Sequence, residues 1–325
     1  MCYLKMKSRI ACIGSATQDI FVKTPEIHFR KSKTRKGIDL CLKLGKKFDI
    51  EEIHFDFGGG ALNTSMGFKK MGFDAYTVIS LGNDSIAKKI EMLLKIEKIN
   101  LVEVRSEKET GFSVIFRKPK GDRTIMTYRG ANNEWDEKKM QWDKLKKMNW
   151  IYLSSFGTNS GFLEKIALFC KKNKIKLVFN PGASQRKIGL EKLKNVVKNC
   201  YAIILNKEET CEWTKKNNEL DAMRELNEMG TKIVVLTDGR KGSIAFNGKK
   251  FFRQKAFDVE RKDVTGAGDA FSVGFISALD RKKPIPYALK WGTASACSVI
   301  TKIGAHNGLL SFEKVEKFVK KCEKK

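Results

Sequence analysis

Long hydrophobic runs are missing from this 325-residue sequence, although 42% of its residues are hydrophobic. Apolar runs such as residues 201–205 and 233–236 are far shorter than the roughly 20 residues that a membrane-spanning helix needs. The first fifteen residues lack the apolar segment of a signal peptide. We therefore expect a cytoplasmic protein without a membrane partner.

Patterns typical of metal sites are also missing. The eight cysteines have no CxxC or other metal-ligand spacing, and the three histidines (His28, His54 and His306) are widely scattered. Several cysteines lie within apolar segments, as buried free thiols do in a reducing compartment. These patterns argue against a zinc protein, and we interpret each histidine as an ordinary surface or lid residue.

Acidic residues are few: 37 Asp and Glu stand against 64 Lys and Arg, which gives a formal net charge of +27. Such a charge raises the alternative of a nucleic-acid binder. The lysines, however, are spread along the whole chain in short groups that helices would expose to solvent. We expect no specific nucleic-acid partner, and a basic surface would help to attract a phosphorylated cosubstrate.

Short β-branched apolar segments alternate with amphipathic, lysine-rich stretches that are long enough for helices. This alternation predicts a mainly parallel sheet covered by helices on both faces, which binds ligands at the carboxyl ends of its strands. No repeat, linker or domain boundary interrupts residues 1–325, so we expect a single α/β domain. The predicted strands are residues 9–15, 75–81, 150–155, 175–180, 201–206 and 232–237.

Two segments break this alternation. Residues 25–57 have little helical pattern and end in alternating apolar and polar residues, and residues 110–128 resemble a hairpin that turns at residues 118–122. Both are predicted to form antiparallel strands that project from the main sheet. Together they could pair into a small β-lid.

The most specific motif is DVTGAGDAF, residues 263–271. Gly266, Ala267 and Gly268 precede an apolar helix, so their free amides and the helix dipole would attract an anion. Asp269 follows at once, where a P-loop would have lysine and then serine or threonine. Its carboxylate is either a favourable charge in the first helical turn or a working base.

A second glycine-rich motif, GGGALN, follows a predicted strand and precedes a helix. Gly59 and Gly60 would let a ligand approach the backbone closely, while Asn63 is either a ligand contact or a helix cap. Asp19 comes just after the first predicted strand and is either a further ligand contact or a turn residue.

Two further motifs follow predicted strands. In NKEE, Asn206 and Glu209 would lie one helical turn apart and could face a hydrated magnesium ion. In TDGRKG, Thr237 offers a hydroxyl, and Gly239 and Gly242 offer exposed amides for phosphate oxygens.

The order of Asp19, GGGALN, NKEE, TDGRKG and DVTGAGDAF resembles the ribokinase-like, or PfkB, carbohydrate kinase family over nearly the whole chain. The resemblance implies a single kinase domain, a three-layer α/β/α sandwich with a β-lid at about residues 25–57 and 110–128. It also implies a phosphotransferase that moves the γ-phosphate of ATP to an alcohol group of a sugar, with Mg²⁺ and, in many members, K⁺. A homodimer formed through the lid is known in the family.

The resemblance also implies a role for each motif. Asp269 matches the base that takes the hydroxyl proton, and Gly266, Ala267 and Gly268 match the anion hole. The remaining matches are Asp19, Gly59, Gly60 and Asn63 for the acceptor, Asn206 and Glu209 for magnesium and phosphate, Thr237, Gly239 and Gly242 for the nucleotide, and Asp263 and Thr265 for the monovalent cation.

Two departures leave the acceptor open. Ser154 and Ser155 stand where a ribokinase has a sugar-binding carboxylate, and Gly60 stands where the family has a lysine. A nucleoside kinase of the same fold is therefore the closest alternative. A nucleotide-binding regulatory protein without catalysis is a further alternative, but an intact Asp269 argues against it.

Overall fold

The computed structural model describes residues 7–32, 38–117, 123–157 and 160–323. The predicted turn at residues 118–122 lies outside these ranges. The strands are β1 (Arg9–Ile13), β2 (Thr17–Lys23), β3 (His28–Lys31), β4 (Ile38–Cys41), β5 (Glu52–Gly58), β6 (Asp74–Leu81), β7 (Asn100–Arg105), β8 (Phe112–Arg117), β9 (Arg123–Tyr128), β10 (Trp150–Leu153), β11 (Lys176–Phe179), β12 (Ala202–Asn206), β13 (Ile233–Thr237), β14 (Ser243–Phe246) and β15 (Phe251–Gln254).

The helices connect these strands and cover the larger sheet. They are α1 (Gly60–Lys70), α2 (Ser85–Ile96), α3 (Trp142–Leu145), α4 (Ser160–Lys172), α5 (Ala183–Ile188), α6 (Lys194–Lys198), α7 (Lys207–Thr214), α8 (Glu219–Glu228), α9 (Ala267–Asp280), α10 (Ile285–Ile300) and α11 (Phe312–Glu323). None of the helices in the described ranges is long and apolar enough to cross a bilayer.

Nine strands form the central sheet, in the order β15-β14-β13-β12-β11-β10-β1-β6-β7. The strands from β13 to β7 run parallel, and β14 and β15 add an antiparallel edge. The predicted mainly parallel sheet is confirmed, and all six predicted strands lie in it. The chain order reverses direction between β1 and β10, which is the position where sheets of this kind bind ligands.

Alternating side chains of β1 show how the three layers pack. Ile10 and Cys12 are buried in the core beneath α1, α2 and the C-terminal helices α9 to α11. Ala11 and Ile13 point the opposite way, into the core shared with helices from α3 to α8. The strand is therefore apolar on both faces, as a central parallel strand requires.

A second sheet has the order β5-β2-β8-β9, and β3 and β4 form a separate antiparallel pair. The second sheet differs from the sequence prediction in two respects. Strand β2 was not predicted to belong to this sheet, and antiparallel pairing was expected throughout, whereas β2 pairs with β8 in parallel. The chain leaves the central sheet at Gly14 and enters the second sheet at Thr17, so the two sheets meet at the carboxyl end of β1.

Candidate active site

The amino-terminal end of α9 forms the anion-attracting part of the site. Gly266 has a left-handed φ of 73°, a conformation that glycine adopts without steric cost, and the helix begins at Ala267. The Ala267 amide donates to Val264 O at 3.3 Å, so it is less free than predicted. The amides of Gly268 and Asp269 donate to no acceptor within the described part of the chain. Two unpaired N–H groups at a helix N-terminus therefore remain available for an anion.

Asp269 lies in the first turn of α9, half-buried, and its Oδ2 accepts a 2.7 Å hydrogen bond from Nδ2 of Asn63. Burial raises the pKa of Asp269 to about 6, although the Asn63 bond acts in the opposite direction. A carboxylate with this pKa is ionised at neutral pH and is still able to accept a proton. A plain capping role is not what the geometry favours, because the carboxylate bonds to a different helix.

Asn63 is not the cap of α1 that the sequence allowed. Gly59 occupies the cap position with a φ of 99°, and the backbone amide of Asn63 bonds to Gly59 O inside the first turn. The buried Asn63 side chain is therefore free to reach across to Asp269. Gly60 lies beside it, and a Cβ atom at Gly60 would sit 2.6 Å from Ser154 Oγ and 4.0 Å from Asp269 Oδ1.

Asp19 lies inside β2, so of the two interpretations of this residue the turn after β1 is wrong. Its buried Oδ1 accepts a 3.1 Å hydrogen bond from Thr17 Oγ1, and the Asp19 carboxylate lies against Gly58. Gly58, Gly59 and Gly60 therefore connect Asp19 to Asn63 along one short stretch of backbone. The residues Asp19, Gly59, Gly60, Asn63 and Asp269 are called the acceptor crevice, after the role that is proposed for them below.

A cavity of about 180 Å³ lies next to the α9 N-terminus. Its lining includes Thr237, Gly239 and Gly242, together with Ala267 and Gly268. The remaining wall is mainly apolar and is made by residues that include Phe257, Val264, Phe271, Ala296, Cys297 and Ile300. An apolar cavity that also contains the unpaired Gly268 amide suits an aromatic base linked to phosphates.

Asn206 and Glu209 form a reciprocal cap at the start of α7. Asn206 Oδ1 accepts from the Glu209 amide at 2.8 Å, and Glu209 Oε2 accepts from the Asn206 amide at 3.2 Å. The other oxygen, Oε1, accepts from Arg186 Nη1 at 2.8 Å. Neither residue lines the cavity, and sequence reasoning missed Arg186 because a lone arginine has no distinguishing spacing.

Asp263 and Thr265 lie in the loop before α9. Asp263 Oδ1 accepts from the Thr265 amide at 3.0 Å and from Thr265 Oγ1 at 2.7 Å, while Oδ2 accepts from the Gly304 amide at 3.0 Å. The oxygen atoms of the Asp263 carboxylate and of the Thr265 hydroxyl are the groups here that could bind a monovalent cation, whereas the N–H groups around them could not. The described residues contain no group of three or more His, Cys, Asp and Glu side chains placed to hold a metal.

Sequence reasoning also missed His306, which we expected to be an ordinary surface or lid residue. It lies in the loop after α10, and its Nε2 is 2.8 Å from Asn63 Oδ1. Nothing in the local sequence around His306 signals this contact, because Asn63 precedes it by 243 positions.

Comparisons with known proteins show which family and fold this chain shares. The ribokinase of Haemophilus influenzae is 24% identical over 324 residues, which cover 97% of this chain and 99% of that protein. The structure of Arabidopsis thaliana ribokinase complexed with ribose and ATP aligns over 97% of this chain and 99% of that one, with a TM-score of 0.81 and 20% identity. The nucleoside kinase of Methanocaldococcus jannaschii, described as an archaeal member of the ribokinase family, gives a TM-score of 0.79 at 22% identity over 97% of this chain and 99% of that one.

These alignments confirm the ribokinase-like fold that the motifs predicted. The model of the pfkB family of carbohydrate kinases matches residues 7–311, nearly the whole sequence. The chain therefore belongs to the pfkB family of carbohydrate kinases, phosphotransferases that act on an alcohol group.

Proposed function

We propose that this protein transfers the γ-phosphate of ATP to a hydroxyl group of a sugar or sugar-like acceptor, with Asp269 as the general base. One observation carries the proposal: Gly268, whose amide has no acceptor in the described part of the chain, lines the cavity, and the next residue, Asp269, is hydrogen-bonded to Asn63 of the acceptor crevice. A phosphoryl group held at the amides would therefore face a hydroxyl held beside the carboxylate.

In the proposed reaction, these are the protein groups that contact the reacting atoms, and every bond that breaks is matched by one that forms. The acceptor hydroxyl gives its proton to Asp269 while its oxygen forms a bond to the γ-phosphorus. The bond between the γ-phosphorus and the β–γ bridging oxygen breaks, and ADP leaves with that electron pair. The amides of Gly268 and Asp269, with the positive end of the α9 dipole, stabilise the negative charge on the transferring group. The Gly266 backbone shapes this anion hole.

Mg²⁺, when bound with ATP, neutralises charge on the β- and γ-phosphates. The residues that we propose to organise it are Asn206 and Glu209, acting through water. The ion pair with Arg186 and the cap hydrogen bond to the Asn206 amide fix the orientation of the Glu209 carboxylate, which supports an outer-sphere role. Asp263 and Thr265 are proposed to hold K⁺ in the loop before α9, next to the anion hole.

The acceptor side supports two candidate substrates. Asp19, Gly59, Gly60 and Asn63 are proposed to bind its hydroxyls. Gly60 packs closely against Ser154, since a Cβ atom at Gly60 would come within 2.6 Å of Ser154 Oγ. Ser154 and Ser155 stand where a ribokinase has a sugar-binding carboxylate, so a nucleoside is the second candidate, and the structural likeness to a nucleoside kinase agrees with it.

The second sheet is proposed to act as the lid of one cytoplasmic kinase unit. Asp19, Phe21 and Ile115 are buried on the face that carries the crevice residues. The opposite face exposes Ile53, Phe55 and Met126, by 50%, 55% and 63%.

One row across the four strands consists of Phe55, Ile20, Val114 and Met126, and Ile53 lies two positions from Phe55 on the same face. The exposed side chains therefore belong to one continuous apolar face. An exposed apolar face on a sheet with two open edges suits a second copy of the same face. We therefore propose a homodimer formed through the lid.

A coupled assay of ADP release tests the function, using pentoses, hexoses, their phosphates and nucleosides, with Mg²⁺ and with K⁺ against Na⁺. Asp269→Asn is the matched variant, because it preserves shape and can still accept from Asn63. We expect it to bind ATP normally and to lower kcat by at least ~10². Near-normal turnover by the variant would contradict the assignment of the base, and no turnover of any acceptor by the unaltered protein would overturn the kinase proposal.

A further inference from the structure

Three side chains from distant parts of the chain form a hydrogen-bonded row that ends at Asp269. Asn63 Nδ2 lies 2.7 Å from Asp269 Oδ2, and Asn63 Oδ1 lies 2.8 Å from His306 Nε2. Beyond His306, its Nδ1 lies 4.0 Å from Asp56 Oδ1, on strand β5 of the second sheet. The hydrogen-bonded row therefore runs from the reacting carboxylate to His306, and the proposed lid faces the other ring nitrogen at a longer distance.

Donor and acceptor chemistry fixes the direction of this row. An ionised carboxylate only accepts, so Asn63 must present its NH₂ group to Asp269. The Asn63 carbonyl oxygen is then turned toward His306, and a hydrogen bond forms there only if Nε2 carries a hydrogen. His306 therefore donates from Nε2, the tautomer that this arrangement requires.

The charged and titratable groups around the row preserve this arrangement at neutral pH. Burial lowers the pKa of His306 to about 4, with Lys70 acting in the same direction and Asp56 opposing it. On the other side, Asp269 faces the buried Cys12 thiol of β1 and the buried Tyr152 hydroxyl of β10, and burial raises the pKa of both groups. Around Asp269, the Asn63 amide is consequently the contact that favours its ionised form.

We infer that His306 is a positioning residue for phosphoryl transfer, because its Nε2–H group locks the Asn63 amide in the orientation that donates to Asp269. The inference rests on the proposed role of Asp269 as the base. Without His306, the Asn63 amide could turn over and direct its oxygen at the Asp269 carboxylate, an arrangement that charge repulsion disfavours unless the carboxylate is protonated.

The fixed orientation of the Asn63 amide also affects which acceptor group can bind at the reacting position. The Asn63 NH₂ group has two hydrogens, and Asp269 uses one of them. The second remains for an oxygen in the acceptor crevice. A hydroxyl is the group that can both accept from Asn63 and donate to Asp269, so the locked amide favours a hydroxyl at the reacting position over an ether or carbonyl oxygen.

The test compares His306→Ala with the conservative His306→Gln, whose side-chain amide can still donate to Asn63. Lys302→Ala, an exposed change in the same loop, is the matched control. We expect His306→Ala to lower kcat by at least ~10-fold with little change in the KM for ATP, whose cavity His306 does not line. We also expect the acidic limb of its kcat profile to move to higher pH, since the bond that favours ionised Asp269 is weakened. His306→Gln should recover most of both losses, and Lys302→Ala should match the unaltered protein.

A second measurement does not depend on turnover. The side-chain NH₂ of Asn63, observed by ¹⁵N NMR, should exchange with solvent faster in His306→Ala than in His306→Gln. Unchanged exchange in His306→Ala, or equal loss of kcat in the two variants, would overturn the inference. Normal turnover of Asp269→Asn would overturn the proposed base instead, and the NMR comparison would still decide whether His306 holds Asn63. If thermal unfolding shows that His306→Ala is not folded, His306→Leu takes its place against His306→Gln.

Discussion

Gly266 lies directly against Ala305: a Cβ atom added to Gly266 would come within 2.7 Å of the Ala305 Cβ. Gly266 also has a left-handed φ, which an alanine adopts at a cost of roughly 1–2 kcal/mol. Gly268, two positions later, differs in both respects, because no heavy atom lies within 4 Å of its Cβ position and its φ is ordinary. The two glycines of this motif therefore serve different purposes, one structural and one at the reacting centre.

We expect Gly268→Ala to fold with a free energy of unfolding within ~1 kcal/mol of the unaltered protein, since alanine favours a helix. Gly268 lines the cavity that we propose for the nucleotide, and the added methyl group would occupy space there. We therefore expect kcat/KM for ATP to fall by at least ~10-fold. Gly266→Ala should instead lower the midpoint of thermal unfolding. Chemical denaturation and the ADP-release assay separate the two effects, and full activity of Gly268→Ala would contradict the placement of the phosphates.

The raised pKa of Asp269, about 6, predicts the pH dependence of turnover. The base must be ionised to take a proton, so kcat should fall about tenfold per pH unit below this value and level off above it. Measuring kcat between about pH 5 and about pH 8 tests this acidic limb, the range in which kcat rises with pH. A profile that stays flat through this range would show that another group, or none, is the base.

The same shift predicts a cost in stability. The folded pKa of Asp269 lies above the ordinary value of 3.8, so folding disfavours the ionised form at neutral pH. We expect the free energy of unfolding of Asp269→Asn at pH 7 to exceed that of the unaltered protein by up to about 3 kcal/mol, as measured by chemical denaturation. The difference should shrink as the pH falls from about 6 toward 3.8, where the carboxyl becomes protonated in both states. A difference in the free energy of unfolding between the two proteins that does not change with pH would contradict this explanation.

The exposed face of the second sheet gives a prediction about assembly. Phe55→Glu places a charge on the edge strand β5 within this face and should convert a dimer into a monomer, as measured by sedimentation or light scattering. Leu168→Glu is the control, because Leu168 is also exposed by half but lies on α4, away from both sheets. A monomeric unaltered protein, or equal effects of both variants, would count against the proposed dimer.

The sequence predicted the central sheet well because each buried parallel strand is a short, continuous apolar segment that can be recognised locally. It missed β14 and β15, which form an antiparallel edge, and it missed the strand β2 that contains Asp19. The reason in the latter case is that β1 and β2 are separated by only a short bend at residues 14–16, so one apolar segment contains two strands of different sheets.

The motifs of the site were recognisable for the same local reason: glycines with left-handed φ and small residues at helix starts leave a pattern in adjacent positions. Contacts between motifs leave none. His306 reaches Asn63, and Arg186 reaches Glu209, through the packing of loops from separate strands and helices. Their partners become visible only when the fold brings the loops to the same edge of the sheet.

The central place of β1 has a consequence for how the chain assembles during synthesis. Strand β1 is synthesised well before β10, which is one of its two neighbours in the sheet. The hydrogen bond from the Arg9 amide to Asn149 Oδ1 joins positions that are 140 residues apart. Until β10 leaves the ribosome, β1 presents an unpaired apolar edge, which is a template for pairing with another nascent chain. A polypeptide interrupted before Trp150 would keep that edge open, so incomplete chains of this protein should aggregate where complete ones fold.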